Sequence, residues 1–277
     1  PGHTHDANPD VSSFLSNSRN RSYTIPAQKI FNHLAQWENK FYFKNDEVIA
    51  QLGFTSNELK EYGEKVSVAG IDMTLQNSSY SIRWKHNFNK YFDIVSGSQG
   101  MFQSNTNGQY VKEILVPNSN FNDLGAYTLL KGTFNLWNIQ AGARYDKRSI
   151  TTKEDVEGFD KSFNGLNYSA GISRSSKTIT TRLNASTGFR PPHISELLAD
   201  GVHHATMQYL VGDRNFISER ANQIDFYLGT HFDHLEIVIN PFINLINNYI
   251  YKSPTGQTDT TSGLDIFEMK QTDAVFS

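Results

Sequence analysis

The 277-residue sequence contains no cysteine, which removes disulfide scaffolds, thiolate metal sites and thiol nucleophiles. It has no dominant charge either: 25 Lys and Arg stand against 28 Asp and Glu. The cations are scattered, so nucleic acid is not an expected partner. No apolar run reaches the roughly 18 residues of a membrane helix, and helical periodicity is almost absent. Catalytic signatures are missing too. There is no H-E-x-x-H, G-x-S-x-G, P-loop or nucleotide fingerprint in the sequence, so neither an enzyme nor a required cofactor is expected. The first residue is Pro1, with no initiator Met or signal peptide ahead of it, as expected of a processed chain or of a piece of something larger. Mean hydropathy is negative. That value suits a soluble protein, but equally a transmembrane β-barrel, whose lipid-facing and lumen-facing residues alternate and average out.

What is present is period-2 alternation. In "TITTRLNASTGFR", Ile179, Thr181, Leu183, Ala185, Thr187 and Phe189 fall on one face, opposite Thr180, Arg182, Asn184, Ser186, Gly188 and Arg190. "WNIQAGARYD" and "LNYSAGISR" repeat the division. The pattern predicts about eleven strands, over 28–43, 47–59, 72–87, 91–104, 123–135, 137–149, 165–174, 178–189, 219–231 and 234–250, with another from near 266. Several are long enough for a tilted bilayer crossing, which takes about 9 to 11 residues. Pro241 lies inside one of them, and a local bulge is expected there because proline cannot donate to the ladder.

The connections alternate in length. "KND", "NFNK", Asn135 with Leu136, "SSK" and "FDH" are short, whereas 60–71, 105–122, 150–164, 190–218 and 251–265 are long and polar. Outer-membrane barrels sort their connections this way, with short turns on the periplasmic side and long loops outside. Phe41, Phe43, Phe92, Tyr249 and Tyr251 gather toward strand ends, as interfacial girdles do. The reading is an all-β fold: a partial antiparallel transmembrane β-barrel, with residues 1–277 part of one barrel domain. Its first residues are the descending half of an outer loop. An open-edged sheet cannot stand alone in a bilayer, so further strands are expected to complete it.

Several stretches in order then resemble a known family, the TonB-dependent outer-membrane receptors. "LNASTGFRPPHISELLADGVHHAT" is similar to its G-[FY]-[RK]-[AP]-P…E-L segment. "YLVGDRNFISERANQIDFYLG" is similar to its G-[ND]-x-x-[LF]-x-x-E return strand, and "NPFINLINNYIY" to its N-x-[FY]-x-N-x-I strand. "FEMKQTDA" follows, and "GSQGMFQSNTNG", "ILVPNSNFNDLGAYTLLKG" and "WNIQAGARYDKR" precede. The likeness runs over nearly all of residues 20–277, with a Bacteroidetes-like flavour. The resemblance implies a barrel of about 22 strands, of which some eleven are in this chain. It also implies an amino-terminal plug energised through TonB, residence in the bacterial outer membrane beside outer-membrane lipid, and uptake of a metal chelate such as a ferric siderophore or haem, or of zinc or copper. Nothing in the chain resembles the plug, the TonB box or the closing strand. Two other readings remain open: a soluble or surface-attached all-β glycan-binding module, and a passive pore.

Loop parity puts 190–218 outside, where His193, Glu196, Asp200, His203 and His204 could line a substrate vestibule, since imidazole and carboxylate suit iron, zinc and copper complexes. Arg190, Pro191 and Pro192 are expected to shape the exit from the wall, with Glu219 and Arg220 pairing at the return strand. In "GHTHDANPD", His3 and His5 with Asp6 form a second candidate, able to gather a divalent ion but short of a full ligand set.

Overall fold

In the computed structural model, alternation has become one continuous ladder. The structure describes residues 27–62, 69–109, 114, 117–153, 158–203, 206, 208–232 and 234–277. His3, His5 and Asp6 lie outside the described residues, as does His204. Strands β1 (Ala27–Tyr42), β2 (Asp46–Tyr62), β3 (Ile71–Asn87), β4 (Phe92–Asn107), β5 (Ser119–Phe134), β6 (Trp137–Thr152), β7 (Asp160–Ser175) and β8 (Ile179–Arg190) follow one another as antiparallel neighbours. After helix α1 (Ile194–Leu198) and the short strands β9 (Asp200–His203) and β10 (Gln208–Val211), the wall resumes with β11 (Glu219–Phe232). It continues through β12 (Leu235–Ile239), β13 (Phe242–Thr258) and β14 (Asp265–Phe276). Because β12 and β13 both pair with β11, they are two parts of one pass, and the passes match the eleven expected strands.

The apolar face is continuous across neighbours. Leu124, Ile139, Ile172, Leu183, Ile224 and Ile243 are all at least 39% exposed on it, linked through pairs such as Ile139↔Ile172, Ile172↔Leu183 and Ile224↔Ile243. A soluble protein would bury such residues, whereas a lipid-facing wall presents them. Aromatics cluster at the short-turn end: Tyr91 stacks on Phe134 at 5.7 Å, Phe92 meets the same ring edge-on at 5.0 Å, and Arg174 lies over Trp137. The sheet is open, with β1 at one edge and β9 and β10 at the other.

Two expectations are corrected. The strands run further into the long connections than alternation suggested, β2 to Tyr62 and β13 to Thr258. The ladder outlasts the apolar pattern because backbone pairing continues past the lipid, where either face meets water. Pro241 makes no bulge: pairing passes from Leu228↔Ile239 to Asp225↔Phe242 without a register change, so proline only interrupts the ladder. Its carbonyl still accepts from the Phe226 N–H at 3.0 Å. The register shifts instead between Ile246 and Tyr249, where Asn248 sits at φ 59°, and again between Pro254 and Thr258.

The β5–β6 turn is closed by Asn135 at φ 50°, in the left-handed region where a short amide side chain is tolerated and a β-branched one is not. Asn135→Val is therefore expected to lower stability by about 1–2 kcal/mol and Asn135→Gly to be close to neutral. Urea unfolding of the complete detergent-refolded receptor measures both.

Candidate substrate vestibule

The vestibule begins where β8 leaves the wall. Arg190 ends that strand opposite Glu219, the first residue of β11. Its Nε donates to Glu219 Oε2 at 2.7 Å, and its Nη2 donates to Glu219 Oε1. Nη1 reaches both carboxylate oxygens of Glu196 in α1, at 3.1 and 3.0 Å. Glu219 is 7% exposed, and its Oε1 also accepts from the Ile250 N–H at 2.7 Å. The partner of Glu219 is thus Arg190 and not the expected Arg220. Successive residues of a strand point to opposite faces, so Glu219 and Arg220 cannot face each other.

Past Pro191 and the buried Pro192, His193 caps α1. Its ring accepts from the Ser195 N–H at 3.3 Å, while Glu196 accepts from the His193 N–H at 2.7 Å, completing a capping box. Ile194 and Leu197 point from the helix into a buried cluster with Phe121, Ile150, Phe159, Phe163, Phe216 and Ile250. Burial at a few tens of cal/mol per Å² makes this apolar patch the main force holding the loop down. Phe189 joins the cluster by turning inward over Gly165, where an added Cβ would overlap its ring. The β7–β8 pairing ends at Ser169↔Ser186, and the Thr187 hydroxyl then takes the Tyr168 N–H at 2.8 Å. The alternating pattern placed Phe189 on the apolar face; the broken pairing frees it to turn.

The returning limb is stitched down as well. The Gly212 N–H donates to Ala199 O at 2.7 Å, and a side chain there would collide with the α1 backbone. Lys161 Nζ donates to the carbonyls of Arg214 and Phe216 at 2.9 and 2.7 Å. Gln271 Nε2 donates to those of Ile217 and Asn248 at 2.7 and 2.8 Å. β9 and β10 form a hairpin in which Tyr209 OH donates to Asp200 Oδ1 at 2.9 Å, and β10 adds in parallel to β14. Beside the root of the loop, the inner face of the wall borders an open cavity of about 830 Å³, whose lining includes Gln51, Gln99, Arg144, Asp146, Arg148 and Phe189. Arg148 donates to Asp123 at 2.6 Å and Arg144 to Asp146 at 2.8 Å. These inner-wall pairs were not singled out in the sequence, although their signal is there: Arg144 and Asp146 stand two apart on one face of β6, and cross-strand register sets Asp123 of β5 opposite Arg148.

Of the expected site residues, His193 and Glu196 are brought together, but in the service of the helix cap. Asp200 stands in the adjoining hairpin, and His203 ends β9 with its side chain outside the described atoms. Among the described residues, no group of three or more His, Asp or Glu could hold a metal ion.

Two outcomes follow from the latch. Glu219→Gln is expected to weaken loop docking by about 1–3 kcal/mol, seen as faster hydrogen exchange at the Ile250 N–H and earlier proteolysis within 191–218. Burial holds the His193 imidazole below its ordinary value near 6.5, against an upward pull from Glu196, so the neutral ring caps the helix. A histidine depressed by folding takes up a proton more readily unfolded. Its stabilising contribution is therefore present above pH 6.5 and lost as pH falls below that value. A His193→Asn variant, which keeps a capping acceptor, should lose that part of the loop's pH dependence in the same exchange measurement.

The comparisons with known proteins agree with this geometry. The family described as "TonB dependent receptor-like, beta-barrel" matches residues 2–275. A search of curated proteins returns no match. Among solved structures, the chain is similar to the siderophore receptor PirA of Pseudomonas aeruginosa, at 13% identity and a TM-score of 0.55, over 89% of this chain and 52% of that one. It is similar to the alcaligin outer-membrane receptor FauA of Bordetella pertussis, at 12% identity and a TM-score of 0.64, over 90% and 43%. The copper transporter OprC matches at 11% identity and a TM-score of 0.64, over 90% and 42%. The chain thus spans about half or less of the length of these structures, whose likeness at such identity is one of fold. With the family matched over almost its whole length, the chain belongs to the TonB-dependent receptor β-barrels, which are bacterial outer-membrane transporters and not enzymes.

Proposed function

We propose that this barrel serves a receptor that takes up an organic metal chelate, a ferric siderophore or haem, with energy relayed by TonB through a plug domain outside this chain. The observation that carries the reading is the outer loop of residues 191–218, packed down through α1 and latched by Arg190 beside the 830 Å³ cavity that Phe189 and Pro191 help to line. A preformed concave mouth with fixed polar groups suits a bulky, shaped ligand. The names of the similar structures, a siderophore receptor, an alcaligin receptor and a hemophore receptor taken with its hemophore and heme, support the same class.

The donor chemistry favours a chelate over a bare ion. His193 Nδ1 and the Glu196 carboxylate are engaged by the cap and by Arg190, and Asp200 accepts from Tyr209. A ligand that brings its own metal donors leaves these groups undisturbed. The second reading, capture of free Zn²⁺ or Cu²⁺ by His3, His5 and Asp6 with His203 and His204, is favoured by the likeness to the copper transporter OprC.

Calorimetric titration of the complete detergent-solubilised receptor with ferric siderophores, haem, Zn²⁺ and Cu²⁺ separates the two. The expected outcome is tight binding of one organic chelate, retained when His193, His203 and His204 are changed together to Ala. Tight binding of a bare ion alone, abolished by that triple change, would replace the chelate reading with the metal one. A passive pore, in contrast, would conduct continuously in a planar bilayer and bind none of the four.

A further inference from the structure

One ladder of the wall stops short. β7 and β8 pair from Ser175↔Thr180 to Ser169↔Ser186 and no further. Beyond that point each strand is held only from behind, residues 160–168 by β6 and residues 187–190 by β11. Side chains bridge the seam instead. The Thr187 hydroxyl accepts from the Tyr168 N–H at 2.8 Å and donates to the Tyr168 carbonyl at 3.4 Å. Further out, Arg220 reaches past β8, and its Nη2 donates to the Asn164 carbonyl at 3.5 Å. From the inside, the Phe189 ring covers Gly165, which has no side chain to keep it off. Contacts of this kind part without unzipping the ladders that hold β7 to β6 and β8 to β11.

The seam crosses the outer limit of the apolar band. On β6 the outward apolar series ends at Tyr145 and is followed by Lys147, and these two face Leu166 and Asn164 of β7. Leu166 and Tyr168 are exposed on the lipid side. Unpaired backbone at this depth is tolerated where it is covered by protein or borders a cavity. Both conditions hold here, because Phe189 lines the 830 Å³ cavity together with Asp146, the cross-strand partner of Gly165. Inward from the lipid, the order is therefore Leu166 and Tyr168, then the Phe189 ring, then the cavity. The slot itself is apolar, whereas the chamber behind it carries the Arg144–Asp146 and Arg148–Asp123 pairs. A polar chamber joined to hydrocarbon by an apolar slot suits a ligand with a polar head and an acyl tail. Parting β7 from β8 by one further strand spacing, about 5 Å, makes room for a single chain.

We propose that the β7–β8 seam is a lateral slot for the acyl tail of an amphiphilic metal chelate, whose head occupies the cavity while one chain passes out between Thr187 and Leu166 into the outer leaflet. Phe189 is the shutter of the slot. The inference rests on the chelate reading above and narrows its substrate class to acylated chelates.

Photolabelling of the complete receptor in liposomes tests this, with N-palmitoyl ferrioxamine B carrying a diazirine near the amide end of its chain and peptide mass spectrometry locating the label. Wild type should be labelled at Phe189 on the inside and at Leu166 on the outside. Asn167→Cys with Gly188→Cys, two residues beyond the last ladder pair, forms the only disulfide available to a chain without cysteine. Oxidised, this variant should lose the Phe189 label and keep that at Leu166, and reduction should restore it. Phe189→Ala, which removes the shutter, should extend labelling inward to Asp146. Heat-dependent gel mobility shows that each variant is folded. Wild-type labelling confined to the outward face would overturn the proposal, and so would a Phe189 label that survives oxidation. Neither result touches the chelate reading, which falls instead if the calorimetric titration finds no organic chelate bound.

Discussion

A backbone in hydrocarbon has no water to satisfy it, so every N–H and C=O of a spanning strand must be paired within the protein. The long ladders from β1 to β14 answer that requirement, and the rest of the structure is arranged around it. Pairing sets the register, and register sets which side chains share a face. The faces then divide into an apolar side and a polar one on which Asp123 meets Arg148. The departures are local and are covered by other groups. Pro241 withholds one donor but keeps its acceptor in use, and the bulge at Asn248 is bridged by Gln271.

The loop of residues 191–218 uses different physics. Its hold on the wall comes from apolar residues, Ile194, Leu197 and Phe216, that find partners on the upper inner wall. A single ionic hub and several bonds to loop carbonyls then fix its position. Arg190 binds one carboxylate from the loop and one from the wall, so the two elements share a charge that neither could bury alone. Among the histidines of the segment, His193 serves the loop's own architecture as the cap of α1.

The wall was legible in the sequence because lipid imposes a strict period of two, and eleven passes could be read from residues such as Ile179 through Phe189. Loop parity was legible for the same reason, since antiparallel passes must alternate sides. The vestibule was not. The pairing of Arg190 with Glu219 spans the whole loop, and adjacency in sequence suggested Arg220 instead, a neighbour that strand geometry sends to the other face. Pro241 drew attention as a bulge, while the true register shift lies at Asn248, whose left-handed backbone leaves little trace in an Asn-Asn pair. His193 reads as a metal ligand by type and acts as a helix cap by position.

The Glu219 carboxylate joins three things at once: the guanidinium of Arg190, the loop helix through Arg190 and Glu196, and the backbone of β13 at Ile250. Lifting the loop breaks only the Arg190–Glu196 arm of that junction and leaves Arg190 paired with Glu219 across two strands of the wall. Such a junction works as a detent. Small displacements of α1 are returned to rest by the Glu196 arm, while the half of the junction built into the wall keeps its place.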